Sequence, residues 1–306
     1  MKQLTRLVSL ALIALLTACT GGGEDQTGDH HIVVTTNILG DVVRNVVGDT
    51  AEVTVLMKPN SDPHSFGVSA QEAAAMVTAD LVVYNGLGLE ESLQRHVDSA
   101  AESGVPTFAV AEHVDPIPYA SGDAEGRRDP HFWTDPHRML AAVDAIVEAV
   151  RKYVPDADGG RLEANASRFR AELSTLADSM ANQFETIPAE RRKLVTNHHV
   201  LGYLAARYGF TVIGAVVPSG TTLASPSSSD LDSLAGAVRD AGVPAIFVDS
   251  SHPDRLARVL AEDAGVDVDV VSLYSESLDE PGTPAATYLD MMRANTDAIV
   301  AGLTSP

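Results

Sequence analysis

Two copies of the triplet Asp-Pro-His, Asp62-Pro63-His64 and Asp129-Pro130-His131, stand far apart in this 306-residue chain. A proline fixes its own φ and keeps the residue before it extended, so each triplet holds an imidazole at a defined loop exit. A third imidazole follows an apolar run at Thr196-Asn197-His198-His199. Imidazole is the commonest side-chain metal ligand, so three of them gathered from distant loops point to metal binding. A metal site of this kind wants a fourth ligand, and with no further histidine at a strand end except His252, a carboxylate must supply it. Asp249 in Phe247-Val248-Asp249-Ser250 and Glu276 in Tyr274-Ser275-Glu276-Ser277 both follow apolar runs, and spacing alone does not choose between them.

The rest of the chain must bring these loops together. Its first half alternates short β-rich runs with helical spacing. Ile32 to Leu39, Glu52 to Met57, Asp80 to Gly86 and Pro106 to Val110 read as strands, with helices over Gly40 to Val47, Ser69 to Thr78 and Glu90 to Ser103. Ser69 with Glu72 three residues on makes a capping box. Val114 to Pro130 is a Pro-, Gly- and Asp-rich surface loop, beside which His113, Asp115, Asp123 and Glu125 read as solvated. Thr134 or Asp135 can cap a helix with Pro136 in its first turn, running to Tyr153 with His137 exposed. Arg161 to Thr186 holds no Gly or Pro, and Leu162, Ala166, Phe169, Leu173, Leu176, Met180 and Phe184 step by three and four, the mark of one long amphipathic helix. The second half repeats the alternation. Lys193 to His198, Thr211 to Val217, Ala245 to Ser250 and Val268 to Tyr274 read as strands, with helices over Val200 to Tyr208, Asp230 to Ala241, Pro253 to Ala264 and Tyr288 to Leu303.

That order predicts an α/β protein of two Rossmann-like lobes with parallel sheets, joined by one long connecting helix, with the metal cleft between the lobes. The expected boundaries are a signal peptide over 1–18, a lipid-anchored flexible tether over 19–30, an N-terminal lobe over 31–158, the connecting helix over 159–188 and a C-terminal lobe over 189–306.

Lys2 and Arg6 before the apolar Leu7 to Leu16 have the form of an export signal, too short to span a bilayer. Leu16-Thr17-Ala18-Cys19 resembles the bacterial lipobox, so lipid on Cys19 is the expected membrane anchor. Cys19 is the single cysteine, which excludes an internal disulfide and a thiolate metal site in the mature fold. The net charge of −21 argues against nucleic acid and favours attraction of cations.

These residues resemble the metal receptors (zinc or manganese) of bacterial ABC importers, a class of solute-binding lipoproteins. The resemblance covers nearly all of the mature chain. It rests on Lys58-Pro59-Asn60-Ser61-Asp62-Pro63-His64-Ser65-Phe66, Asp80 to Gly86, Asp129-Pro130-His131-Phe132-Trp133, the long helix, Ile187-Pro188-Ala189-Glu190, Val195-Thr196-Asn197-His198 with Gly202-Tyr203, and the tail from Tyr274 to Asn295. It implies His64, His131 and His198 as ligands, with the acid of the Ser275-Glu276-Ser277 turn as the fourth. The family usually has Asp at that fourth position and this chain has Glu276, with Asp249 or Asp279 as substitutes. It also implies that a histidine at the third position selects zinc, where manganese receptors tend to carry Glu. His199 is the minor alternative to His198 as a ligand, since it would point off the opposite side of the same turn. No His-rich collecting loop is present over Val114 to Pro130.

The expected function is therefore an extracytoplasmic, lipid-anchored receptor, not an enzyme. It captures Zn2+ (alternatively Mn2+) and delivers it to the permease of an ABC importer, with a metallochaperone as a possible donor. A monomer is expected. An adhesin or manganese receptor of the same fold is the alternative. A secreted zinc hydrolase is the rival from another class, but the chain has no His-Glu-x-x-His pair, and a fourth protein ligand fills the position that water would need.

Overall fold

The computed structural model describes residues 30–155, 157–265 and 268–305. The export signal, Cys19 and all of the tether but His30 lie outside the described residues.

Two parallel four-stranded sheets carry the fold. In the first, β1 (His31–Val34), β2 (Glu52–Val55), β3 (Leu81–Tyr84) and β4 (Thr107–Ala109) lie in the order β2-β1-β3-β4. In the second, β5 (Lys193–Thr196), β6 (Thr211–Ala215), β7 (Ala245–Asp249) and β8 (Asp269–Leu273) repeat that arrangement as β6-β5-β7-β8. Every strand pair is parallel, with His31 opposite Glu52 and Ala245 opposite Asp269.

Side-chain alternation explains why both faces of each sheet must be covered. Ile32, Val34, Leu81 and Val83 point into one large core, while Val33 and Val82 point into a smaller one on the opposite face. The second sheet divides the same way, with Ala245 and Phe247 in the large core and Ile246 and Val248 in a third. The large core thus lies against both sheets. Between them run α1 (Asn37–Val47), α4 (Pro136–Tyr153), α5 (Gly159–Glu185) and α9 (Tyr288–Thr304), each contributing residues to that core. The outer faces are covered by α2 (Ala70–Met76) and α3 (Gln94–Glu102) on the first sheet, and by α7 (Ser228–Ala241) and α8 (Arg255–Ala264) on the second. Among the described residues no helix is long and apolar enough to cross a membrane.

The 27 residues of α5 span about 40 Å at 1.5 Å per residue. Asp158 caps it by accepting the N–H groups of Gly160 and Arg161, and all seven apolar positions read from its periodicity are buried. The helix packs on α1 and α4 from the first half and on α9 from the second.

Two of the helix starts that differ from the sequence reading have a clear local reason. Helix α1 begins at Asn37 rather than Gly40, because the Thr36 hydroxyl accepts the Leu39 N–H at 3.4 Å and ends the strand early. Helix α3 begins at Gln94 rather than Glu90. The buried Glu90 carboxylate folds back to accept the N–H groups of Asn85 (2.6 Å) and Gly86 (3.1 Å) and the Thr35 hydroxyl (2.7 Å). The loop from Val114 to Pro130 keeps His113, Asp115, Asp123 and Glu125 exposed as expected, yet it buries Val114, Tyr119 and Ala124.

Candidate metal centre

All the loops that carry candidate ligands leave the carboxyl ends of strands, where parallel sheets place their sites. His64 follows β2, His131 follows β4 through the long loop, His198 follows β5 and Glu276 follows β8. The repeated triplet has a common physical meaning. In each, the aspartate Oδ1 accepts the backbone N–H of the histidine two residues on, at 2.9 Å for both Asp62–His64 and Asp129–His131. The turn so formed points the ring inward.

The four side chains meet at one point. Glu276 Oε1 lies 3.2 Å from His64 Nε2, 3.2 Å from His198 Nε2 and 3.5 Å from His131 Nε2. His64 Nε2 and His131 Nε2 are 3.4 Å apart. None of the four residues is more than 1% exposed. His198 Nε2 and both Glu276 oxygens are buried without a hydrogen-bond partner, a costly state for polar atoms unless a cation is their partner. Three imidazoles and one carboxylate suit a borderline divalent ion.

The electrostatics set one ionised carboxylate among the imidazoles. Burial would push the Glu276 carboxyl up, but the facing imidazoles of His198, His64 and His131 outweigh it and hold it well below the usual range. Burial likewise works to lower His131. The Asp129 carboxylate, which accepts its Nδ1–H at 2.7 Å, and Glu276 overcome that and raise the ring to about 9. His198 has no such partner, and burial lowers it against the pull of Glu276. Asp129 thus fixes the His131 tautomer and aims Nε2 at the centre.

The structure does not bring the other sequence candidates into this group. Asp249 lies beneath it with both oxygens occupied. Its Oδ2 accepts Ser275 N (2.9 Å), Ser275 Oγ (2.7 Å) and Glu276 N (3.1 Å), and its Oδ1 accepts the N–H and hydroxyl of Ser251. Asp279, half-buried, turns back on Glu280 N. His199 faces away from the centre toward Tyr119, and His137 is exposed. His252 stands just outside, 3.7 Å from Asp62.

Sequence reading missed the frame around the ligands. Trp133 Nε1 donates to Ser275 O at 2.8 Å, Tyr203 Oη donates to Asp129 O at 2.7 Å, and Tyr119 Oη lies 3.4 Å from His131 Nδ1. Asn37 ties the same turn from the other half, accepting Leu278 N at 2.9 Å. Trp133 and Tyr203 were visible only as parts of the motifs that carry the family resemblance; their partners are tertiary.

The profile of the zinc-uptake complex component A periplasmic family (ZnuA) matches residues 32–302. The chain is similar to the manganese-binding lipoprotein MntA of Halalkalibacterium halodurans, 30% identical over 99% of this chain and 100% of the relative. It is equally similar to the zinc-binding protein TroA of Treponema pallidum, 30% identical over 97% of this chain and 96% of that one. The manganese ABC transporter substrate-binding lipoprotein PsaA of Streptococcus pneumoniae is 27% identical over 99% of both chains. The solved structure of the Treponema pallidum periplasmic zinc-binding protein TroA superposes with a TM-score of 0.82 at 29% identity, covering 91% of this chain and 100% of that one. With both lobes spanned by the family profile and the same two-sheet fold in a solved relative, the chain belongs to the zinc-uptake component A family of periplasmic metal-binding, substrate-binding proteins.

Proposed function

We propose that this chain captures Zn2+ outside the cytoplasm with His64, His131, His198 and Glu276 and hands it to the permease of an ABC importer. Membership of the family makes it a substrate-binding protein and not an enzyme. The observation that carries the cargo assignment is the ligand set itself: three Nε2 atoms within 3.5 Å of one buried carboxylate oxygen. Relatives named for zinc and for manganese are equally similar, and the ligand chemistry is what supports zinc. Three nitrogens and one oxygen suit zinc, whereas manganese prefers more oxygen. Glu276 fills the position that a hydrolase would leave to water.

We place the lobes at 31–158 and 189–306, on either side of the long helix over 159–188. The core shared by both sheets and α5 supports a small lobe movement on release rather than a wide hinge. Lipid on Cys19 would hold the receptor at the membrane, and a monomer suffices for the site, because all four ligands come from one chain.

The test is metal content and competitive zinc and manganese titration of the mature protein, together with rescue of zinc uptake in cells lacking their own receptor. One tightly held zinc per chain and restored uptake are expected. Manganese held in preference to zinc would overturn the cargo assignment.

A further inference from the structure

A second set of ligand atoms stands beside the first. Asp62, His252 and Glu276 offer one carboxylate oxygen, one imidazole nitrogen and one carboxylate oxygen, all within 4.8 Å of one another. His252 Nε2 lies 3.7 Å from Asp62 Oδ2 and is buried without a hydrogen-bond partner, although the His252 side chain as a whole is 28% exposed. Glu276 belongs to both sets, and neither of its oxygens has a hydrogen-bond partner. A cavity of about 350 Å³ is lined by one residue of each set, His198 and His252, together with Asn197 and Thr222, and near the surface by Leu256, which is 44% exposed. Thr222 in that wall donates to Asp62 Oδ2 at 2.7 Å.

The inner site has an access problem that this arrangement solves. Its ligands are at most 1% exposed, so a hydrated divalent cation cannot reach all four in one step. It must lose its waters in stages, exchanging each for a protein ligand. We propose that Asp62, His252 and Glu276 form an outer way-station for the divalent cation on its path to and from the inner site. There the ion is bound by two carboxylate oxygens and one imidazole and keeps some of its water. It then moves inward by trading Asp62 and His252 for the three inner imidazoles while Glu276 stays bound. Because Glu276 is shared, the two sites fill in sequence and not together. Asp62 suits this role because the Ser65 and Thr222 hydroxyls that bond its Oδ2 can rotate away as the ion arrives. His252 is held in place by its backbone N–H, which donates to Asp249 O at 3.1 Å at the end of β7.

This inference rests on the receptor reading above, and one experiment separates the two. Stopped-flow mixing of metal-free protein with zinc gives the uptake rate, and mixing of loaded protein with excess chelator gives the release rate. The variants are His252→Ala and His252→Gln; Asp62 is left intact because it also holds the His64 backbone. A station on the path is crossed in both directions, so removing its imidazole slows uptake and release together, by roughly tenfold, as for a change of about 1.4 kcal/mol in the intermediate. His252→Gln keeps the volume and must slow exchange as His252→Ala does, whereas a packing role would be rescued by it. Wild-type rates in both variants would overturn the way-station. So would faster release at an unchanged uptake rate, which would make His252 an ordinary stabiliser of the loaded state. A wild-type protein that takes up no zinc would overturn the receptor reading itself, and this inference with it.

Discussion

Asp249 Oδ2 accepts the backbone N–H of Glu276 at 3.1 Å, so the two acids that the sequence offers for one ligand position have different tasks. One faces the centre, and the other holds it there. Burial and the Glu276 charge raise the Asp249 carboxyl, while the Ser251 and Ser275 donors work to keep it ionised.

Glu276→Ala is expected to cost at least about 100-fold in zinc affinity, because it removes the one carboxylate among the four proposed ligands. Competitive titration measures it. An affinity like the wild type's would return the fourth position to water or to another acid.

Asp249→Asn is expected to weaken zinc by about 10- to 100-fold without changing the ligand set, as loss of an orienting partner does. The amide would also turn an N–H toward donors that now share a carboxylate, at a cost of about 1–3 kcal/mol in fold stability. Zinc-edge X-ray absorption distinguishes the two acids: the oxygen ligand persists in Asp249→Asn and disappears in Glu276→Ala.

His198→Glu gives two nitrogens and two carboxylate oxygens, and preference is expected to move toward manganese. The zinc-to-manganese affinity ratio, measured in one competition series, should fall by at least about tenfold. A ratio like the wild type's would show that the third position does not set selectivity in this chain.

An unperturbed imidazole would place acid weakening of zinc binding near pH 6. The Asp129 carboxylate moves one of those protons upward, since it and Glu276 hold His131 at about 9 against the effect of burial. Zinc must therefore displace a proton from His131 at neutral pH, and affinity should climb about tenfold per pH unit toward pH 9. Calorimetry in buffers of different ionisation enthalpy should show about one proton released near pH 7.5. The stability linkage has the same origin. His131 is raised above its ordinary 6.5, so its contribution to the metal-free fold is complete below pH 6.5 and is lost as pH rises through about 9. The melting temperature of the metal-free protein should fall over that window, and that of the zinc-loaded protein should not.

Trp133, the single tryptophan, has its ring centroid 5.2 Å from that of His131 and donates its indole N–H to Ser275 O. It touches the strand-end turn of one sheet from the loop of the other. Protonated imidazole quenches indole more than neutral imidazole does, so zinc binding at pH 7 should raise its emission. Asp129→Asn, which removes the carboxylate that keeps the proton on His131, should shrink that change.

The sequence by itself determined most of the elements and the three candidate nitrogen ligands, because both are written in local terms. Alternation of period two, the three-and-four steps of Leu162 to Phe184, and the Ser69 and Asp135 caps depend on neighbours within a few residues. The two Asp-Pro-His words are local as well, since each aspartate bonds the histidine of its own triplet. Tertiary structure alone sets Glu276, and not Asp249, among the three imidazoles. Both follow strands of the same sheet, and only the packing of β7 against β8 puts one carboxylate under the Ser275-Glu276 turn and the other above it. The same holds for His252 beside Asp62, whereas the rise of His131 comes first from Asp129 of its own triplet and only then from Glu276. Burial and the imidazoles that face Glu276 from three other loops set the state of that carboxylate, and neither is a property of the residues next to it in the chain.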